Sequence, residues 1–161
     1  MSLWSSTVVL YLHVLSFMVT YAAVAAEYAL LRGTIDAPTI RSLGTADAAY
    51  GLAAVGVFGT GVLQVLYFGK GLSYYLQSPV LWTKVVLFTV VGLASIYPTL
   101  TVLRWRAELD REEVPVQHLF GLTIPPRSTP RTRVLRRVTG LELGLLTVLP
   151  LLGTALHYGL G

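Results

Sequence analysis

The chain has 161 residues, of which 54% are hydrophobic and 12% charged, and its mean hydropathy of +0.66 excludes an ordinary water-soluble domain. It has no cysteine, which excludes disulfides, iron–sulfur clusters and thiolate-ligated haem, so any metal would rest on His, Asp, Glu or backbone. The net charge of +4 is carried by arginines that flank apolar stretches without interleaved aromatics, a pattern that speaks for a membrane and against nucleic acid as partner.

The first apolar block, about 7–31, holds only His13, Glu27 and tyrosines as acid–base groups and is long enough to cross a bilayer. Ala23 to Ala26 offer the small residues of a cleavage site, but Met1 to Ser6 carry no Lys or Arg, so the block reads as a retained span. The second block, about 48–69, is uncharged, and Gly51, Gly56, Gly59 and Gly61 allow a neighbouring helix to approach closely. The third, about 80–103, starts after Pro79 and has Lys84 as its single charge; Pro98 is expected to kink it near the inner end. The fourth, about 138–160, contains Glu142, Pro150 and His157.

Arg32 and Arg41 fall in the first loop, and Arg104, Arg106, Arg111, Arg127, Arg131, Arg133, Arg136 and Arg137 in the third, which together hold ten of the 12 basic residues. The excess of positive charge places these two loops inside and both termini outside, in the periplasm of a bacterial cytoplasmic (inner) membrane protein. Trp4, Tyr11, Tyr74, Tyr75, Trp82 and Tyr158 then form an outer aromatic belt, and Tyr28, Tyr97 and Trp105 an inner one. In the cytoplasmic loop 104–137, Arg104 to Glu113 reads as a helical extension, and Pro115, Pro125, Pro126 and Pro130 interrupt anything longer. The expected fold is all-α, an integral membrane four-helix up-down bundle forming one domain over 1–161. Its surroundings are the lipid bilayer, with anionic lipids at the cytoplasmic arginines; a homo-oligomer or a partner membrane subunit is compatible with the glycine-rich second block.

Ionisable groups within hydrocarbon are costly, so each is a candidate functional residue facing the bundle interior. At about 100° per residue, His13, Ser16, Thr20 and Glu27 share one face of the first helix. Lys84, Phe88, Val91 and Ser95 do so on the third, with Gly92 and Thr99 at the margin, and Thr139, Glu142, Pro150, Gly153, Thr154 and His157 on the fourth. By depth, His13, Gln64, Lys84 and His157 fall in an outer layer, and Glu27, Asp47 and Glu142 in an inner one, where pairing with Arg32, Arg104 and Arg137 is the simplest role. Two histidines on the first and last helices are suitable axial ligands for a b-type haem, with Lys84 placed to meet a propionate or an acidic substrate. The bland alternatives are a histidine bonded to backbone and a lysine that snorkels to the surface.

The segments Leu12-His13-Val14, Val65-Leu66-Tyr67-Phe68-Gly69-Lys70-Gly71, Leu81-Trp82-Thr83-Lys84, Ser95-Ile96-Tyr97-Pro98-Thr99 and Arg104-Trp105-Arg106 resemble the predicted bacterial membrane proteins of domain-of-unknown-function family 2214 over most of 8–159. That likeness carries no activity with it. His13 early in the first helix and Trp82-Thr83-Lys84 early in the third are also similar to the four-helix, haem-binding membrane protoporphyrinogen oxidases. This second likeness implies His13 as a ligand of haem b and Lys84 as the essential residue; Glu27 departs from it, standing where those enzymes have a basic residue. The sequence thus points to a haem b redox protein with His13, His157 and Gln64 at the cofactor, His13 and His157 as metal ligands and Lys84 as the catalytic group. The rival reading is a non-enzymatic accessory or scaffold subunit of a membrane complex.

Overall fold

A computed structural model describes residues 3–68, 72–112 and 130–157, with side chains over 3–68, 72–110 and 132–154. Among the described residues the chain is helical apart from short turns: α1 (Leu3–Leu30), α2 (Ala37–Leu63), a π-helical turn (Gln64–Phe68), α3 (Leu72–Gln77), α4 (Pro79–Glu112) and α5 (Pro130–His157). Three of the helical stretches, Leu3–Leu30, Ala37–Phe68 and Pro79–Asp110, are long and apolar enough to cross a membrane. At 1.5 Å per residue, the 34 residues of α4 extend about 51 Å, well beyond a hydrocarbon core of about 30 Å.

Local chemistry explains where the helices begin and end. After Leu30 the chain tightens into i→i+3 bonds, Arg32 N–H to Ala29 O at 3.1 Å and Gly33 N–H to Leu30 O at 3.1 Å, which end α1. Asp36 then caps α2 by accepting the Thr39 amide at 3.0 Å, with Pro38 in the first turn, where its missing N–H costs nothing. Ser78 precedes α4 and accepts its Leu81 amide at 3.4 Å, while the Trp82 indole donates to Leu76 O at 3.0 Å and ties α3 to α4.

The helices outrun the apolar blocks read from the sequence. The second starts at Ala37 instead of about 48, the third runs on through Glu112 as the extension from Arg104 anticipates, and the last starts at Pro130 instead of about 138. These extra turns are amphipathic and have a core of their own. Leu31, Ile35, Ile40, Leu43, Val102, Trp105, Leu109 and Leu135 form a buried cluster drawn from α2, α4, α5 and the α1–α2 turn. Trp105, expected at a lipid interface, is instead only 6% exposed within it.

α1 packs on α2 and α5, and α4 packs on α2 and α5. Each contact runs antiparallel, since early residues meet late ones: Ser16 faces Gly56, Tyr28 faces Gly140, and Lys84 faces Gly153. A second apolar cluster, Ala23, Val24, Tyr50, Val91, Leu146 and Leu149, fills the middle of this arrangement. Outside it, apolar side chains such as Met18, Leu52, Phe58, Leu93 and Leu151 stand exposed on all four long helices, a surface suited to lipid.

Candidate functional site

The polar side chains inside the helices fall into two layers separated by the cluster around Val24 and Val91. The first contains His13, Thr60, Gln64 and Lys84. His13 Nδ1 lies 2.9 Å from Thr60 Oγ1, and that hydroxyl sits 2.5 Å from Gly56 O one turn back and 3.2 Å from Val57 O. A hydroxyl has one proton, and here the backbone carbonyl takes it. Thr60 therefore presents a lone pair to the imidazole, which assigns the proton to Nδ1 and the ring's lone pair to Nε2; the ring is also within hydrogen-bonding reach of the Val57 backbone, the backbone-bonded alternative named above. The ring lies over Gly61, where a Cβ would come within 3.4 Å of Cε1. Lys84, half-buried on α4, is close enough for its ammonium charge to act on His13, and its Nζ lies over Gly153, 3.6 Å from where a Cβ would stand.

Gln64 opens the π-helical turn one helical turn after Thr60, and its buried Nε2 has no hydrogen-bond partner. π-Turns are frequent at functional sites because the extra residue redirects the side chains around it. α5 ends at His157, whose side chain lies outside the described residues; His13 and Lys84 belong to the same layer but stand on α1 and α4, whose described residues do not pack on one another. Thr60 was not visible as a site residue from the sequence; the available signal was a lone hydroxyl in an apolar helix next to Gly61 and Gln64.

In the second layer, Glu27 of α1, Asp47 of α2 and Glu142 of α5 are 4%, 9% and 1% exposed. Thr99 of α4 donates to Asp47 Oδ1 at 2.6 Å. Glu27, Asp47 and Glu142 are close enough for their charges to act on one another. The expected pairing with Arg32, Arg104 and Arg137 does not occur. Arg32 lies over the Tyr28 ring at 5.8 Å, and Arg104 and Arg137 are exposed. The carboxyls occupy inward faces and the arginines outward ones, where their head groups reach water.

The polar stripe expected on the last helix is narrower than its sequence reading. Thr139 and Glu142 are fully buried, but Pro150 and Thr154 are exposed, being about 80° and about 120° around the helix from Glu142 at 3.6 residues per turn. Among the described residues no three His, Asp or Glu side chains converge closely enough to hold a metal ion. A haem would need one or two ligand nitrogens, and among the described side chains of this layer His13 carries the imidazole.

Comparison with characterised proteins and with solved structures yields no match. A family model does match, over residues 5–161, and it covers both polar layers and all four long helices. The chain belongs to DUF2214, a family of predicted membrane proteins, as the residues from His13 to Trp105 led us to expect.

Proposed function

We propose that the chain is an integral, multi-pass protein of the bacterial cytoplasmic membrane, a four-helix up-down bundle with its arginine-rich end inside, and that the His13 layer binds haem b for redox chemistry. The observation that carries the haem reading is the contact of His13 Nδ1 with the Thr60 hydroxyl, because it would orient the imidazole and leave Nε2 as the nitrogen that would hold haem iron. Three features support it. Gly61 and Gly153 let the His13 ring and Lys84 Nζ lie close against α2 and α5, and Gln64 Nε2 is a buried donor in need of an acceptor. The Lys84 ammonium is the natural partner of a propionate or of an acidic substrate, which makes it the catalytic candidate. His157, at the end of α5, is the second residue that would hold the iron. When bound, haem supplies one-electron chemistry; the protein supplies the oriented imidazole, the positive charge and an apolar surround.

The test is a visible absorption spectrum of protein expressed with ample haem and purified in mild detergent. A Soret band is expected. His13→Ala should remove most of it from folded, inserted protein, and His157→Ala should retain haem but move it from low towards high spin. Lys84→Met should weaken retention or turnover without changing spin state. Wild-type protein without haem under these conditions refutes the redox reading.

One observation favours an accessory or scaffold role instead. Between α1 and α2 lies a shallow open groove of about 540 Å³, lined largely by small residues including Ala22, Ala26, Ser42, Ala46 and Ala49. Small residues at membrane depth let helix backbones come close, so a helix of a partner subunit or of a second copy would fit there. Gentle co-purification that recovers a stoichiometric membrane partner together with haem-free protein would favour this reading. The arginines at the other end would meet anionic lipid head groups in either case.

A further inference from the structure

Every long helix has the same order of layers at its arginine end. On α1 the order is Val24, Glu27, then Leu31 beyond the helix end; on α2, Tyr50, Asp47, Leu43; on α4, Val91, Ser95 and Thr99, Val102; on α5, Leu146, Glu142 and Thr139, Leu135. A polar slab holding three carboxyls is thus closed on both sides by apolar side chains.

Within the slab the donors and acceptors do not balance. Thr99 donates to Asp47 Oδ1, but Glu27 Oε1 and Glu142 Oε1 are buried without any partner. Independently of the carboxyls, the hydroxyl of Thr139 is also unpartnered; Thr139 is 0% exposed and lies one turn before Glu142 on the same face. Buried polar atoms in folded proteins are almost always satisfied, so what is missing is a species that brings hydrogen and positive charge. Among the described residues no cation pairs with these carboxyls. The side chain of Arg106 packs over Gly44, one turn from Asp47 towards the arginine end, and Arg32 lies over Tyr28. The groups facing the carboxyls are Tyr50 on α2, which is within hydrogen-bonding reach of Ser95, and the neutral hydroxyls of Ser95 and Thr99 on α4; the described part of α4 places no titratable group there. A metal ion is disfavoured because the three carboxyls do not converge on a point. The remaining cation is the one that needs no coordination sphere.

We propose that Glu27, Asp47 and Glu142 form an intramembrane proton-binding site, in which protons delivered from water reside on carboxyl oxygens and are shared across the layer, with the Thr139 hydroxyl as a further link. Loading is a simple transfer: hydronium gives its proton to a carboxylate oxygen, leaving water and a neutral carboxylic acid. This neutral group is both the missing donor and the removal of one of three repelling charges. The inference is independent of haem, since it concerns a different layer.

The experiment is infrared spectroscopy of the full-length protein in lipid nanodiscs at neutral pH, in water and in deuterium oxide. The carbonyl band of a protonated carboxylic acid is expected, shifting on deuteration and losing intensity in Glu27→Gln and in Glu142→Gln, with the exposed Asp110→Asn unchanged. Should either Gln variant fail to fold by circular dichroism, Thr139→Val, which keeps the shape, should still move the band frequency. Absence of the band in wild type, or a band indifferent to all these changes, overturns the proposal. So does a band that vanishes at fixed pH when sodium or calcium is added, which would assign a metal ion. The band should be the same in haem-free protein, so failure of the haem reading leaves this result intact.

Discussion

The contact between α1 and α2 can be tested at a single atom. A Cβ at Gly56 would fall 2.7 Å from Ser16 Oγ and 3.2 Å from Ser16 Cβ, whereas at Gly51 and Gly59 it would meet nothing within 4 Å. All three glycines lie inside α2, so alanine brings each the same gain in helix propensity, about 1 kcal/mol. At Gly51 and Gly59 that gain stands alone, and stability should rise by up to about 1 kcal/mol. At Gly56 it is opposed by overpacking of about 1–3 kcal/mol, because the Ser16 hydroxyl can rotate away but its Cβ moves only with the backbone of α1. Gly56→Ala should therefore lie between roughly neutral and about 2 kcal/mol destabilising, and about 1–3 kcal/mol below Gly51→Ala. The assay is unfolding of the detergent-solubilised protein by sodium dodecyl sulfate, followed by far-ultraviolet circular dichroism. Adding Ser16→Ala to Gly56→Ala removes the closest atom, so the pair should recover part of the loss and show coupling in a double-mutant cycle. If Gly56→Ala matches Gly51→Ala to within about 0.5 kcal/mol, the close approach of the two helices at this point is wrong.

Acid should loosen the start of α2. The hydrogen bonds of Thr39 hold the Asp36 carboxyl below the usual carboxylate range, so the cap contributes above the ordinary Asp value and is lost as pH falls through the depressed one. Amide exchange at Thr39, corrected for its intrinsic acid dependence, should accelerate over that window in wild type and be fast throughout in Asp36→Ala; a wild-type rate without this dependence removes the cap from the account. For orientation, a reporter fused at Glu112 should be active as a cytoplasmic fusion and one at Ser73 as a periplasmic fusion, and the opposite pattern would invert the bundle in the membrane.

Much of the molecule was legible in one dimension because a bilayer imposes simple rules. Apolar runs of twenty or more residues marked where long helices lie, and the grouping of arginines at the α1–α2 turn, the end of α4 and the start of α5 foreshadowed an arginine-rich end. Helix ends were less legible. The turns at Ala37 to Asp47 and Pro130 to Arg137 are too polar to register as apolar blocks, yet they are helical because Ile40, Leu43, Trp105, Leu109 and Leu135 bury one another across the bundle. That mutual burial is a property of the assembled helices and has no local signature.

The glycines and the polar residues show the same division. Composition put Gly51, Gly56, Gly59 and Gly61 on one helix, but only packing distinguishes Gly56 and Gly61, which face Ser16 and His13, from Gly51 and Gly59, which face no other side chain. Helical periodicity placed His13 and Glu27 on a common stripe of α1; it was silent on Thr60 as the partner that orients His13, since the two are 47 residues apart in the chain. Likewise, charge pattern suggested that Glu27, Asp47 and Glu142 pair with nearby arginines, whereas the rotation of each helix turns the carboxyls inward towards one another and the arginines out. Sequence alone determined that this is a helical membrane protein, because hydrophobicity and run length are additive properties of residues. Which polar groups meet was decided by the tertiary structure, because that depends on how each helix is rotated and set in register against its neighbours.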